Sequence, residues 1–305
     1  MANPTLPTQA ITVRRKSLTF GGRDRSFLVV AGREPKPRPA LVLMLHGTLQ
    51  TASNIRPFAG YSFDSYAVDG RVVVIYPDAV HRDWNGARKA VMLRKSTNQV
   101  DDVGFIRAVI EHAIAAEDVD PTKVYVAGFS LGGQMTLRLI HEIPELLAGV
   151  AVLSANMPAP GNLTIDRDAR IPLPVLTIHG TADPLAPFGG GVVGFHGYLP
   201  KGAHLSAPET AQYFAARNGI TSPPSKSRIA HHREVGDATS VTRHDYTSPG
   251  VPPVRFYAIQ GGGHVLTNPR HKSAAWFWGP STRDLCTADA VADFFDLPVP
   301  TLEKD

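Results

Sequence analysis

Five short stretches of the chain are almost uniformly apolar rather than alternating: "ALVLMLHG" at 40–47, "RVVVIYPD" at 71–78, "KVYVAG" at 123–128, "GVAVLSA" at 149–155 and "PVLTIHG" at 174–180. Strands covered on both faces read this way, so the pattern predicts a central, mostly parallel sheet. Between them lie helical periods. In "VGFIRAVIEHAIAAE" at 103–117, Phe105, Ile106, Val109, Ile110 and Ala113 fall on one helix face. Strand and helix in alternation predict an α/β fold, doubly wound, with helices on both faces of the sheet.

The flanking segments follow other patterns. "ITVRRKSLTF" and "RSFLVVAG" alternate more and are joined by Gly21-Gly22, which predicts an antiparallel hairpin at a sheet edge. "SAPETAQYFAARNG" at 206–219 carries Ser206 and Glu209 at capping-box spacing, with Asn218 and Gly219 as its stop. "VRFYAIQ" at 254–260 reads as the last strand, and "TADAVADFF" at 287–295 as a closing helix begun by Thr287. No internal repeat or dividing linker is visible. The expectation is one catalytic domain over 1–305 with its core at about 17–295, and a long loop near a site from Pro184 to Gly202.

Composition narrows the class. With 43% hydrophobic and 19% charged residues in 305, the chain reads as a soluble globular protein with length enough for a large core. The net charge of +4 is spread out, and its densest cluster is only Arg14, Arg15 and Lys16, so no nucleic-acid partner is expected. Cys286 is the single cysteine, which excludes an internal disulfide and a multi-cysteine metal site. No apolar run approaches the roughly 20 residues of a membrane span. "MANPTLPTQA" has neither the basic nor the apolar region of a secretory leader. "HEIPE" at 141–145 lacks the second histidine of a zinc-protease helix, and no metal site is expected.

The chemistry concentrates at Gly128-Phe129-Ser130-Leu131-Gly132, a G-x-S-x-G sequence between a predicted strand and a predicted helix. In that setting the glycines clear space for a sharp turn, and the serine oxygen projects above the sheet. The alternative is a serine cap in a glycine turn. A serine nucleophile needs a base, and the base needs an acid to orient it. "LTIHGTADPLAPF" offers Asp183 just past a buried strand, and "QGGGHVLTN" offers His264 after the last one. Asp183 could also be a turn former before Pro184. Glu142, Asp166 and Asp168 are rival acids; His271 is a rival base, and His231-His232 reads as solvated surface. An oxyanion would be met by the N–H of Leu131 and that of Thr48 in "LHGTLQTA", with His46 orienting the second loop.

Taken together, "GGRDRSFLV", "LHGTLQTA", "YPDAVHRDWN", "VDDVGFI", "KVYVAGFSLGGQM", "IHGTADPLAPF" and "GGGH" resemble, in order, the esterase/polyhydroxybutyrate depolymerase family of α/β-hydrolases, which includes feruloyl and acetylxylan esterases. The resemblance implies a secreted carboxylic-ester hydrolase without cofactor, using Ser130, Asp183 and His264. It also implies a structural helix starting at Asp101 to Phe105 and a site bordered by Trp84 and Asn85. Two departures stand out. Many polyester depolymerases of the family have a cysteine where Thr48 stands and a disulfide, and their precursors carry leaders. Neither feature is present here, which weakens the case for a polymer but not for ester hydrolysis; the expected substrate is a small or polymeric ester, of hydroxyalkanoate or aryl/feruloyl type. Trp276, with Trp278, could form a substrate platform or simply pack a loop. The triad alone does not separate esters from amides, so a peptidase or amidase stays open, as does a hydrolase-fold binding protein without turnover.

Overall fold

The computed structural model describes residues 10–89, 100–192, 202–231, 238–271 and 278–298. Among these, ten strands form one sheet, in the spatial order Ile11–Phe20, Arg23–Gly32, Val72–Pro77, Ala40–Leu45, Val124–Phe129, Gly149–Leu153, Val175–Gly180, Val254–Gln260, Ser240–Tyr246 and Ser225–Arg228. The uniformly apolar stretches become β3 (Ala40–Leu45), β4 (Val72–Pro77), β5 (Val124–Phe129), β6 (Gly149–Leu153) and β7 (Val175–Gly180). With β12 (Val254–Gln260) they pair in parallel across the centre. The expected hairpin is β1 (Ile11–Phe20) with β2 (Arg23–Gly32), antiparallel and at one edge.

Alternate residues of the central strands feed two separate cores. Leu41, Leu43, Val73, Ile75, Val124, Val126, Val150 and Val175 pack with the apolar faces of α2 (Asp102–Ala116), α3 (Leu131–Glu142) and α4 (Ala207–Arg217). Val42, Met44, Val72, Val74, Ala127, Ala151 and Leu176 pack on the other face against α1 (Ala52–Phe58) and α5 (Thr287–Phe295). A fully covered Val, Leu or Ile contributes about 1.5–3 kcal/mol by leaving water, so burial on both faces explains why these strands carry no polar alternation.

The helix boundaries follow local chemistry. Asp101 caps α2 by accepting the Gly104 N–H at 2.7 Å, and Ser206 and Glu209 form the expected capping box of α4. Not anticipated were α1, the short antiparallel ribbon of β8 (Gly191–Val192) with β9 (Ala203–His204), β10 (Ser225–Arg228) and β11 (Ser240–Tyr246). β10 is exposed at every residue, so no hydrophobic signal marks it; it pairs antiparallel to β11, and β11 to β12. No described helix is long and apolar enough to cross a membrane.

One buried ion pair ties the edge hairpin to this body. Arg25 of β2 donates to Asp102 of α2 at 2.7 Å, and its guanidinium lies 3.8 Å above the Phe105 ring. The other Asp102 oxygen accepts the Asn85 N–H at 2.8 Å. Burial raises the Asp102 pKa against the pull of Arg25 and that N–H. Removing one partner leaves the other charge buried alone. Arg25→Ala is therefore expected to lower unfolding stability by about 3–5 kcal/mol in urea denaturation, whereas Arg15→Ala, at the exposed Arg15–Asp78 pair, costs about 1 kcal/mol or less.

Candidate active site

Because the central strands run parallel, the loops after β3, β5, β7 and β12 leave the sheet at the same edge. Ser130 follows β5 with φ 55° and ψ −114°, a conformation that L residues rarely adopt. The neighbouring glycines make it possible. A Cβ on Gly128 would collide with Gly132 O and Thr136 Oγ1, and one on Gly132 with Leu45 O. The turn is then pinned by Ser130 N–H donating to Leu153 O at 2.9 Å and Gln134 N–H to Ser130 O at 3.1 Å. The Ser130 side chain makes no capping bond to α3, so the helix-cap alternative fails on geometry. Its hydroxyl stands at the head of α3, where backbone N–H groups and the helix dipole favour negative charge.

The loop after β3 passes beside this turn. A Cβ on Gly47 would lie 3.3 Å from Ser130 Cβ and 3.2 Å from the Phe129 ring, so only glycine lets the two backbones come this close without displacement. The loop's other amides are engaged: Gly47 N–H donates to Gln50 Oε1 at 2.9 Å, Leu49 N–H to Arg82 O at 3.0 Å, and Gln50 N–H to Gly47 O at 3.2 Å. Thr48 N–H has no acceptor among the described residues.

His46 braces the loop from below. Ala79 N–H donates to its Nε2 at 3.1 Å, so the ring proton sits on Nδ1 and is donated to Gly47 O at 2.8 Å. Burial, opposed by the Gly47 bond and Asp78 and aided by Arg82, pulls the His46 pKa down to about 4. The imidazole is therefore neutral and structural, as the sequence suggested.

Asp183 and His264 come from neighbouring strands, β7 and β12. The His264 Nδ1 lies 2.6 Å from Asp183 Oδ2, with the carboxylate side chain fully buried. Asp183 Oδ1 accepts the N–H groups of Leu185 and Ala186, each at 2.8 Å. Burial would raise the Asp183 pKa, but the electrostatic pull of His264 and hydrogen bonds from His179 and His264 hold it below the usual carboxylate range. The His264 backbone N–H donates to Trp278 O at 2.6 Å. Its ring lies between Phe129, at 5.0 Å, and Trp278, stacked at 6.1 Å. Phe129 is the residue immediately before Ser130. Phe58 closes the aromatic group, 5.1 Å from Phe129 and 5.8 Å from Trp278.

The rival acids are occupied elsewhere. Glu142 and Asp166 both hold Arg138, and Asp168 pairs with Arg217 and Arg170. His231 corrects the surface reading: it is half-buried, with Nδ1 2.9 Å from a buried Asp284 carboxylate. His232 lies outside the described residues, and so does Trp276. Trp84 also needs correction. It is only 1% exposed, and its indole N–H donates to His46 O at 3.0 Å, so it supports the loop after β3 rather than facing a substrate. Asn85 likewise supports: its N–H is held by Asp102 and its side chain donates to Val100 O at 3.1 Å. The sequence reading passed over Gln50, Phe58 and His179. Only His179 left a trace, as a polar ring in an otherwise apolar strand. Among the described residues no group of three or more His, Cys, Asp or Glu is gathered as metal ligands.

Residues 28–199 match the model of the phospholipase/carboxylesterase family. A protein named as an esterase, NocK of Nocardia uniformis subsp. tsuyamanensis, is 30% identical over 299 residues, 94% of this chain and 84% of its own length. A protein named as feruloyl esterase C, from Aspergillus clavatus, is 29% identical over 233 residues, 73% of this chain and 68% of that protein. Among solved structures, an acetyl xylan esterase from Aspergillus awamori superposes with a TM-score of 0.57 at 15% identity, over 93% of this chain and 99% of that one, which shows a shared fold.

The depressed His46 pKa has a measurable consequence. Between about 6.5 and about 4 the unfolded chain binds a proton that the folded one refuses, so stability is full above that window and falls as pH drops through it. His46 alone is expected to contribute about 3 kcal/mol to this loss. Urea unfolding across the window should give a shallower pH dependence for His46→Gln than for the wild type; parallel curves would show that His46 is not the titrating group.

Proposed function

This chain belongs to the phospholipase/carboxylesterase family and is a carboxylic-ester hydrolase of the α/β-hydrolase fold, and we propose that it works through an acyl-enzyme formed on Ser130. The observation that carries this reading is the buried 2.6 Å contact between His264 Nδ1 and Asp183 Oδ2. A carboxylate only accepts here, so Nδ1 carries the proton and Nε2 keeps its lone pair as the base.

On this reading the steps are as follows. His264 Nε2 takes the Ser130 hydroxyl proton as Oγ adds to the ester carbonyl. The carbonyl electrons move to oxygen, where the N–H groups of Leu131 and Thr48 receive the charge. Thr48 N–H suits this role because it has no other acceptor among the described residues, and Leu131 because it opens α3. Collapse of the tetrahedral species breaks the bond to the alcohol, which leaves with the proton from His264. Water, deprotonated by the same nitrogen, adds to the acyl carbon; collapse of this second tetrahedral species breaks the bond to Oγ, which regains the proton from His264 as the carboxylic acid leaves. Asp183 remains ionised throughout, and its buried charge steadies the imidazolium formed in both halves. No cofactor enters these steps.

For the substrate, we propose esters with an aromatic or extended apolar group. The support is the half-buried Phe58 and Trp278, which flank His264 and Phe129, together with the name of the feruloyl esterase C relative. Aromatic side chains beside the base suit a ring or a hydroxyalkanoate chain, through ring–ring and apolar contact.

A fluorophosphonate probe should label the wild type and leave Ser130→Ala unlabelled; labelling of that variant would overturn Ser130 as nucleophile. Asp183→Asn is expected to lower kcat by about 10³- to 10⁴-fold, because the amide favours the wrong imidazole tautomer. Feruloyl and nitrophenyl esters and suspended polyester should be turned over faster than matched amides. A preference for amides would replace the esterase reading by a peptidase or amidase one.

A further inference from the structure

His179 is a second imidazole at the Asp183 carboxylate, and the triad does not use it. It lies near the end of β7, four residues before Asp183, and is only 2% exposed. Its Nε2 is 2.8 Å from Ala186 O and 3.4 Å from Asp183 Oδ2. A carbonyl oxygen can only accept, so Nε2 carries a proton and points it into the fork between these two oxygens. Ala186 is also one of the two residues whose N–H groups hold Asp183 Oδ1. The turn from 183 to 186 is thus fastened twice, by the aspartate from within and by His179 from the strand. Phe188 stands edge-on to the His179 ring at 6.1 Å and stacks on Phe256, which keeps the fork away from water.

We propose that His179 is a positioning residue for the reaction: its Nε2–H fixes the turn through Ala186 O and draws on Asp183 Oδ2, keeping that oxygen aimed at His264. One carboxylate then serves two imidazoles, one that moves a proton and one that does not. A simple packing role would need only the bond to Ala186 O. The 3.4 Å approach to Oδ2 on the other side of the same N–H is what packing does not require. This inference rests on the triad reading of Ser130, Asp183 and His264.

The test is a double-mutant cycle on a nitrophenyl ester, with melting temperature as the folding control. His179→Leu should lower kcat roughly 10- to 100-fold with KM nearly unchanged, the scale of misplacing a reacting group by about an ångström. In an Asp183→Asn background the same substitution should add less than about 3-fold, because the group it positions is already impaired. His179→Gln, whose amide N–H can reach Ala186 O, should recover most of the loss, and the shorter His179→Asn should not. If His179→Leu does not fold, the Gln and Asn variants give the same cycle. Equal losses from the His179 substitution in both backgrounds, or a Gln variant no better than Asn, would overturn the proposal while leaving the triad standing. Near wild-type kcat in Asp183→Asn alone would instead sink the triad reading, and this inference with it.

Discussion

The arrangement at the carboxyl edge of the sheet depends on a backbone conformation that Ser130 could not hold by itself. Holding a non-glycine residue at φ 55° and ψ −114° costs on the order of 1–3 kcal/mol and must be opposed by its surroundings. Here the opposition is close backbone packing. Gly128 and Gly132 let the start of α3 sit against β5 and the end of β3, and hydrogen bonds to Leu153 O and from Gln134 N–H close the turn on both sides. The strain turns the hydroxyl away from helix capping, which is the commoner use of a serine at that position. The same contact brings Gly47, and with it Thr48, to the serine.

Beneath this surface lies a layer of buried polar groups bonded to one another. His46 links the loops after β3 and β4, Trp84 bonds back to His46 O, and Asn85 connects through Asp102 to Arg25. Each of these groups would be costly if left unpaired in the interior. Their mutual bonding fixes one loop arrangement over others. The active edge is thus rigid because its support is polar and directional, while the sheet below is held by non-directional apolar contact.

How much of this the sequence disclosed follows from which signals are local. The apolar strands were legible to within a residue or two because burial on both faces leaves an uninterrupted run. The G-x-S-x-G turn was legible because its glycines answer a steric need within five residues. β10 and β11 escaped because the outer strands on that side, "SKSR" and "SVTRHDY", are largely polar and are specified by the neighbours they pair with. Trp84 was misread because an aromatic in a loop looks the same whether it meets a ligand or, as here, a backbone carbonyl. His179 was passed over since its meaning lies in Ala186 O and Asp183 Oδ2, and neither contact leaves a pattern in the chain.

Asp183 and His264 are 81 residues apart, yet they stand together because β7 and β12 are adjacent parallel strands. Parallel neighbours cannot be joined by a tight turn, and pairs so distant along the chain are slow to close. Under the proposed triad, a nascent chain that has emerged only as far as Asp183 holds the serine turn and the acid but no base. On that reading competence to cleave arrives only when β12 docks beside β7, and copies that stop short of it are chemically silent.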